Sequence, residues 1–313
     1  MLGKTAGGLF WMFRYLERSE NTARLVEAGF RMALTRGGDP ADEWASVIDT
    51  AGARAAYLSR YDSFEGALVV DFLLRDAGHP SSVLASIDTA RSNARLVRTA
   101  LTREVWEATN EAWMAIKAAL KRPVSEPDMT EVLRLIRQQS ALVRGALHGS
   151  MLRNDGYDFA RIGTFLERAD NTARILDVKY YVLLPSISKI GSPLDNRQWE
   201  GVLRSVAGQR AYRWLSGGEV APIGIAEFLI HDKRMPRSLT FSVTKLADNL
   251  GYLEREYGAR HRSQDLVDRL RERLGSTGID AIFEQGLHEF LVEFLADIAA
   301  LGQQIERDYR FFG

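Results

Sequence analysis

Two glutamate-arginine pairs, Glu17-Arg18 and Glu167-Arg168, are the residues of this chain best suited to chemistry, and each is followed by an asparagine and a second arginine, Asn21 with Arg24 and Asn171 with Arg174. A carboxylate, an amide and two guanidiniums within about two helical turns have three possible uses. The arginines and the amide can clamp a carboxylate or phosphate while Glu17 or Glu167 moves a proton. The charges can instead satisfy one another across an interface, carboxylate to guanidinium in bidentate geometry. The plainest use is a solvated face, in which Glu20 with Arg24 and Asp170 with Arg174 form exposed pairs one turn apart, contributing about 0.3–0.5 kcal/mol each.

The element that positions the first pair is a helix over roughly residues 8 to 35. Leu9, Met12, Leu16, Ser19, Ala23, Val26 and Phe30 recur at three- and four-residue steps and make one continuous stripe. At about 100° per residue, Glu17, Asn21 and Arg24 align on another face and Arg18 points in a third direction. Phe10 and Phe13 share the face of Glu17, while Trp11 and Tyr15 cover the remaining directions. A helix apolar nearly all round is a buried one. Buried charges left unpaired cost several kcal/mol, so these must find one another, backbone carbonyls or a ligand. A structural network between two helices takes precedence in this reading, with an active site as the alternative.

The motif occurs twice in the same order. Leu16-Glu17-Arg18 through Asn21-Thr22-Ala23-Arg24 returns as Leu166-Glu167-Arg168 through Asn171-Thr172-Ala173-Arg174, an offset of 150 (167 minus 17). The second stripe is Phe159, Ile162, Leu166, Ala169, Ala173, Leu176 and Tyr180. Trp44 then falls on Trp199, and Asp71-Phe72-Leu73-Leu74-Arg75-Asp76 with Pro80 and Ser82 falls on Glu227-Phe228-Leu229-Ile230-His231-Asp232 with Pro236 and Ser238. The Asp-x-x-x-Pro-x-Ser segment reads as a helix stop, a turn and a new start with proline in an early helical position and serine as cap. The 8 prolines fall at breaks such as Pro123, Pro127, Pro185, Pro193, Pro222 and Pro236. The expected architecture is all-α: a long antiparallel bundle built from two duplicated halves, 1–155 and 156–313, related by pseudo-twofold symmetry within a single domain, with a last long helix starting near Ile279.

Composition narrows the function. The chain has 313 residues, 46% of them hydrophobic, which supports a core without metal or disulfide. Its 41 basic and 41 acidic residues cancel, so no net field attracts nucleic acid or a membrane, and the basic runs Arg95-Arg98-Arg103 and Arg269-Arg271-Arg273 are interleaved with acids. With no cysteine, thiolate catalysis and cysteine-ligated metals are excluded, and a reducing cytoplasm is the expected compartment. No segment reads as a signal peptide or a membrane span. The 5 histidines, His79, His148, His231, His261 and His288, lack metal-ligand spacing. Glu284, His288, Glu289 and Glu293 are close enough to ligate a metal, though a solvated helix face accounts for them. No phosphate loop is present, and no cofactor is expected. Trp106, Trp113, Trp199 and Trp214 lie on amphipathic stretches, where core packing is the first reading and a partner surface the second.

The segments Leu9 to Arg24 and Gly156 to Arg174 resemble the bacterial Alpha-E family, an all-helical domain named for its Glu-Arg motif, which falls here on Glu17-Arg18 and Glu167-Arg168. The resemblance extends through Asp76 to Pro80 and Ser82, Arg91-Ser92-Asn93-Ala94-Arg95 and Glu104-Val105-Trp106-Glu107, with one visible departure, His231 in the place of Arg75. The resemblance carries no established activity. It implies a context: circularly permuted ATP-grasp proteins as neighbours or fusion partners, with transglutaminase-like and proteasome-like proteins nearby. The function expected on this basis is that of a non-catalytic accessory protein for an ATP-grasp amide ligase. The alternative is a helical enzyme acting on an anionic substrate through Glu17, Arg18 and Arg24 or their second-copy counterparts.

Overall fold

The apolar stripe of the first helix is realised in α1 (Gly3–Thr35), which starts five residues earlier than its periodicity requires (8 minus 3). The computed structural model describes residues 1–35, 40–181, 193–217 and 221–312. The break expected at Pro185 lies outside the described residues, as does the side chain of Tyr180. After α1 come α2 (Pro40–Thr50), α3 (Arg54–Leu58), α4 (Gly66–Arg75), α5 (Val83–Leu96), α6 (Arg103–Ala119) and α7 (Met129–Ser150). The second long helix is α8 (Asp155–Tyr181), followed by α9 (Pro193–Ser205), α10 (Gln209–Leu215), α11 (Pro222–His231) and α12 (Leu239–Tyr257). The chain ends with α13 (Arg262–Ser276), α14 (Ile279–Gln285) and α15 (Leu287–Asp308), and no β-strand occurs among the described residues.

Both stripes are buried apart from Phe30, at the end of the first, which is only partly so. Leu9, Met12, Leu16, Ser19, Ala23 and Val26 of α1 and Phe159, Ile162, Leu166, Ala169, Ala173 and Leu176 of α8 are almost wholly removed from solvent. α1 contributes to two hydrophobic clusters: Met12, Phe13 and Leu16 to one with α4, α5, α6 and α7, and Leu9 and Phe10 to the other with α8, α12 and α15. The two long helices lie directly against each other. A methyl group on Gly163 would run into the Phe10 carbonyl, so that glycine sets how closely their backbones approach.

The antiparallel bundle expected of the chain does not extend to this pair. Contacts advance together along both helices: the Met1 amino group meets Asp155, Phe10 meets Gly163, and Arg14 and Arg18 meet Glu167. α1 and α8 therefore run in the same direction. A short loop forces antiparallel neighbours, but here the whole span from α2 to α7 separates the two helices and carries the chain back to the starting end. A short connection does give an antiparallel pair, as where Thr102 before α6 bonds Ser150 at the end of α7; α13 and α15, joined through α14, are antiparallel as well, with Ser263 at the start of one bonding Asp308 at the end of the other.

Two smaller expectations are corrected. The last helix is divided at Gly286, whose φ of 109° no helix contains, into α14 and α15. Pro80 and Pro236 lie in the turn, two residues ahead of the caps, rather than inside the new helices. The caps themselves are serines: Ser82 Oγ accepts from Ala85 N at 3.1 Å and Ser238 Oγ from Phe241 N at 3.0 Å.

Candidate functional site

The parallel register brings each Glu-Arg pair onto the other. Glu17, 1% exposed, receives Arg168 in bidentate fashion, Nε to Oε1 at 2.9 Å and Nη2 to Oε2 at 3.0 Å. Reciprocally, Arg18 donates Nε to Glu167 Oε1 at 2.6 Å and Nη2 to Oε2 at 2.8 Å. Arg168 also donates Nη1 to the Pro236 carbonyl at 3.2 Å and lies over the Phe165 ring. The exchange depends on adjacency within each pair: with neighbouring residues 100° apart on the helix, one residue holds the carboxylate against the opposite helix while the next reaches across.

Three arginines outside the expected set complete the network. Arg237, 6% exposed, places Nη2 at 3.0 Å from Glu17 Oε1 and 2.9 Å from Glu20 Oε1, and donates Nη1 to Asn21 Oδ1 at 2.7 Å. Arg144 of α7 reaches Glu17 Oε2 at 3.3 Å and pairs with Glu20 Oε2. Arg14 donates Nε to Glu167 Oε2 at 3.1 Å. The repeat offers no signal for Arg237, because Ser81 stands at the matching position of the earlier Pro-x-Ser turn. Its neighbour Ser238 was legible as a cap and fixes the backbone from which Arg237 projects. Arg144 lies inside an amphipathic helix and has no distinguishing context.

The remaining motif residues divide. Arg24 bonds Glu20 Oε1 through Nε at 2.9 Å and so joins the network. Arg174 pairs with Asp170 at 2.8 Å nearer the surface, and Asn171 is only partly buried with no side-chain hydrogen bond among the described residues. On the Glu17 side two carboxylates, Glu17 and Glu20, face four guanidiniums, Arg24, Arg144, Arg168 and Arg237; on the other side Glu167 faces Arg14 and Arg18.

Burial alone would raise the pKa of Glu17, but Arg168, Arg237 and Arg144 outweigh it and hold the carboxyl far below its ordinary range. Burial and the Glu17 charge push Glu20 up, and Arg237, Arg144 and Arg24 bring it down overall. Glu167 is likewise held low by Arg18 and Arg14 against its burial. Arg237 is lowered to about 10, first by burial and, among charges, by Arg168 against the opposing pull of Glu17. All three glutamates are thus fixed as anions, unsuited to shuttling a proton near neutrality. Guanidiniums engage both oxygens of Glu17, and neither the cleft beside Asp158 nor the one beside Glu27 is lined by Glu17, Arg18, Glu167 or Arg168.

The other candidate positions fall elsewhere. Asp158 of α8 lines a cleft of about 600 Å³ with Arg153, Arg161, Lys245 and Arg255, and its carboxyl is pushed up to about 7 by burial, then by Glu256 and Asp155. His148 shares Tyr157 and Arg161 as partners. His288 bonds Asp177, and no group of three or more His, Asp or Glu side chains placed to hold a metal occurs among the described residues. Trp199 is buried, whereas Trp214 is 81% exposed beside the exposed Leu215. Among the described residues no helix is long and apolar enough to cross a membrane.

The family model Alpha-E, described as "a predicted alpha-helical domain with a conserved ER motif", matches residues 1–310. An uncharacterised protein of Mycobacterium bovis and one of Mycobacterium tuberculosis are each 25% identical to the chain over 315 aligned positions, covering 93% of it. The chain spans 35% of the length of those relatives. No solved structure matches it.

Proposed function

This chain belongs to the Alpha-E family, and from that membership and the closed state of its Glu-Arg motif we propose a helical accessory module whose motif is a structural lock rather than a reaction centre. The observation that carries the reading is reciprocity: Arg168 grips Glu17 and Arg18 grips Glu167, leaving a substrate no carboxylate oxygen of Glu17 to reach. The lock joins two duplicated halves, 1–155 and 156–313, across a pseudo-twofold axis running between α1 and α8. Two helices related by an axis along their length run parallel, as these do, and exchange equivalent contacts, as the two pairs do.

The partner in this reading is an ATP-grasp amide ligase, with a transglutaminase-like protein as a further neighbour. Its support is the resemblance set out from the sequence together with the size of the mycobacterial relatives, in which the matching segment is about a third of a longer chain. The exposed Trp214 and Leu215 on α10, and the exposed Ile223 at the start of α11, supply apolar surface for docking. The reading is tested by co-purifying the chain with a circularly permuted ATP-grasp protein of the same organism and measuring amide-bond formation with and without the helical chain. Association that Trp214→Ala weakens, with ligation dependent on the complex, supports it. Failure to associate, or equal ligation by the ligase alone, refutes it.

A further inference from the structure

The carboxylates of the lock are outnumbered by its guanidiniums, and on one side the positive charge continues to the surface. Arg24 leads from Glu20 into a cleft of about 450 Å³ between α1, α7, α9 and α10, whose walls carry Arg24, Arg31, Arg137, Arg204 and Arg210 against one carboxylate, Glu27. The acids that pair with these arginines among the described residues are shared. Glu27 serves both Arg31 and Arg137, Glu200 outside the cleft serves both Arg204 and Arg213, and Glu20 serves Arg24, Arg144 and Arg237. Arg210 has no ion pair among the described residues.

We propose that this cleft binds a small polyanion with three or more closely spaced oxyanion charges. Five guanidiniums line this space and Glu27 is the one carboxylate in its lining, while Glu20 and Glu200, which pair with Arg24 and Arg204, are shared with other arginines. Like charges so arranged repel one another, and an anion with several oxygens removes that repulsion while accepting forked N–H pairs. A single carboxylate engages one guanidinium fork, whereas a phosphate chain or a tricarboxylate can engage several of the five at once. The volume lies within the usual range of small-ligand sites, about 300–1,000 Å³. The Glu17–Arg168 pair takes no part in this binding, and the site stands or falls independently of the ligase partnership.

The test is calorimetric titration of the full chain in low salt with tripolyphosphate, citrate and, as a monovalent control, acetate. Saturable one-to-one binding of tripolyphosphate or citrate, with none for acetate, is expected, and whichever binds more tightly assigns the oxyanion as phosphate or carboxylate. The exposed pair Arg204→Ala/Arg210→Ala should weaken binding about tenfold or more, two solvent-facing charge contacts being lost, with an unchanged melting curve. A control of equal charge change on α13, Arg269→Ala/Arg271→Ala, should leave binding intact. Absence of binding by both polyanions, an unaffected Arg204/Arg210 variant, or equal loss in the α13 control would each overturn the proposal.

Discussion

Replacing Glu17 by Gln keeps the shape of the side chain and removes its charge from the centre of the lock. Three guanidiniums touch Glu17, but their fates differ. Arg237 and Arg144 retain Glu20, while Arg168 keeps only the Pro236 carbonyl and the Phe165 ring face. The change therefore strands one buried guanidinium rather than three. Breaking a buried pair costs about 3–5 kcal/mol, and the low end, about 3 kcal/mol, applies because the amide oxygen still accepts one N–H. At roughly 2 °C per kcal/mol for a chain of this size, the melting temperature should fall by about 6 °C. Urea denaturation followed by far-UV circular dichroism measures the free energy directly. The sign with pH follows from the depressed pKa: the stabilisation is fully present above the ordinary carboxylate value of 4.5 and is lost as pH falls below it. The gap between wild type and Glu17→Gln should thus narrow from pH 6 to pH 3. A cycle with Arg168→Met should show a coupling of at least about 1 kcal/mol. A Glu17→Gln variant within about 0.5 kcal/mol of wild type, or a cycle with no coupling, would refute the lock.

Gly163→Ala should destabilise the chain by at least about 2 kcal/mol in urea melts, because its methyl group forces α8 away from the Phe10 carbonyl. Gly145→Ala on α7, where an added methyl meets nothing within 4 Å, should instead stabilise it by about 0.5–1 kcal/mol. Asp158→Asn should raise stability by about 1 kcal/mol at pH 8, after allowance for its contact with solvent, since the carboxyl, whose pKa is raised from 3.8 to about 7, is charged there among Glu256 and Asp155 with Arg161 and Arg255 only partly offsetting. That gain should vanish below pH 4, where the wild-type group is protonated in both folded and unfolded chains. Ser238→Ala should cost about 1 kcal/mol or more by thermal melting, through loss of the cap to Phe241 N and of the bond to the Asp232 carbonyl.

What the sequence made legible follows from how far each signal reaches along the chain. Stripes at helical period located α1, α8 and α15 because burial of one face is a local property of a helix. The all-round apolar start of α1, with Phe10 and Phe13 beside Glu17, placed the motif in the interior, where Glu17 and Glu167 are found. Direction was not legible, since a stripe is the same read toward either end and only the connection decides it. Arg144 and Arg237 were not legible either. Their role depends on where α7 and the start of α12 come to rest against α1, and an arginine on an amphipathic helix looks alike whether it reaches inward or outward. The break at Gly286 had a residue capable of signalling it, but a lone glycine within helical periodicity is tolerated often enough to be passed over.

The two ends of the lock differ in a way that bears on its use. Glu167 is met by Arg14 and Arg18, a small set with one positive charge to spare. Around Glu17, the added acid Glu20 is more than offset by Arg24, Arg144 and Arg237, and the surplus opens through Arg24 toward the cleft beside Glu27. At the position matching Glu20, Asp170 has a shorter side chain and turns outward to Arg174. One methylene fewer keeps that carboxylate from the interior, and Ser81 supplies no guanidinium to draw it there. Substituting Glu20 by Asp therefore tests whether inward reach assembles the surplus. The shortened acid should lose its hold on Arg237 and Arg144 while keeping Arg24, lowering stability by about 1–3 kcal/mol as a buried acceptor is withdrawn. Equal stability of Glu20→Asp and wild type in urea would mean that the length of this side chain does not set the difference between the two ends.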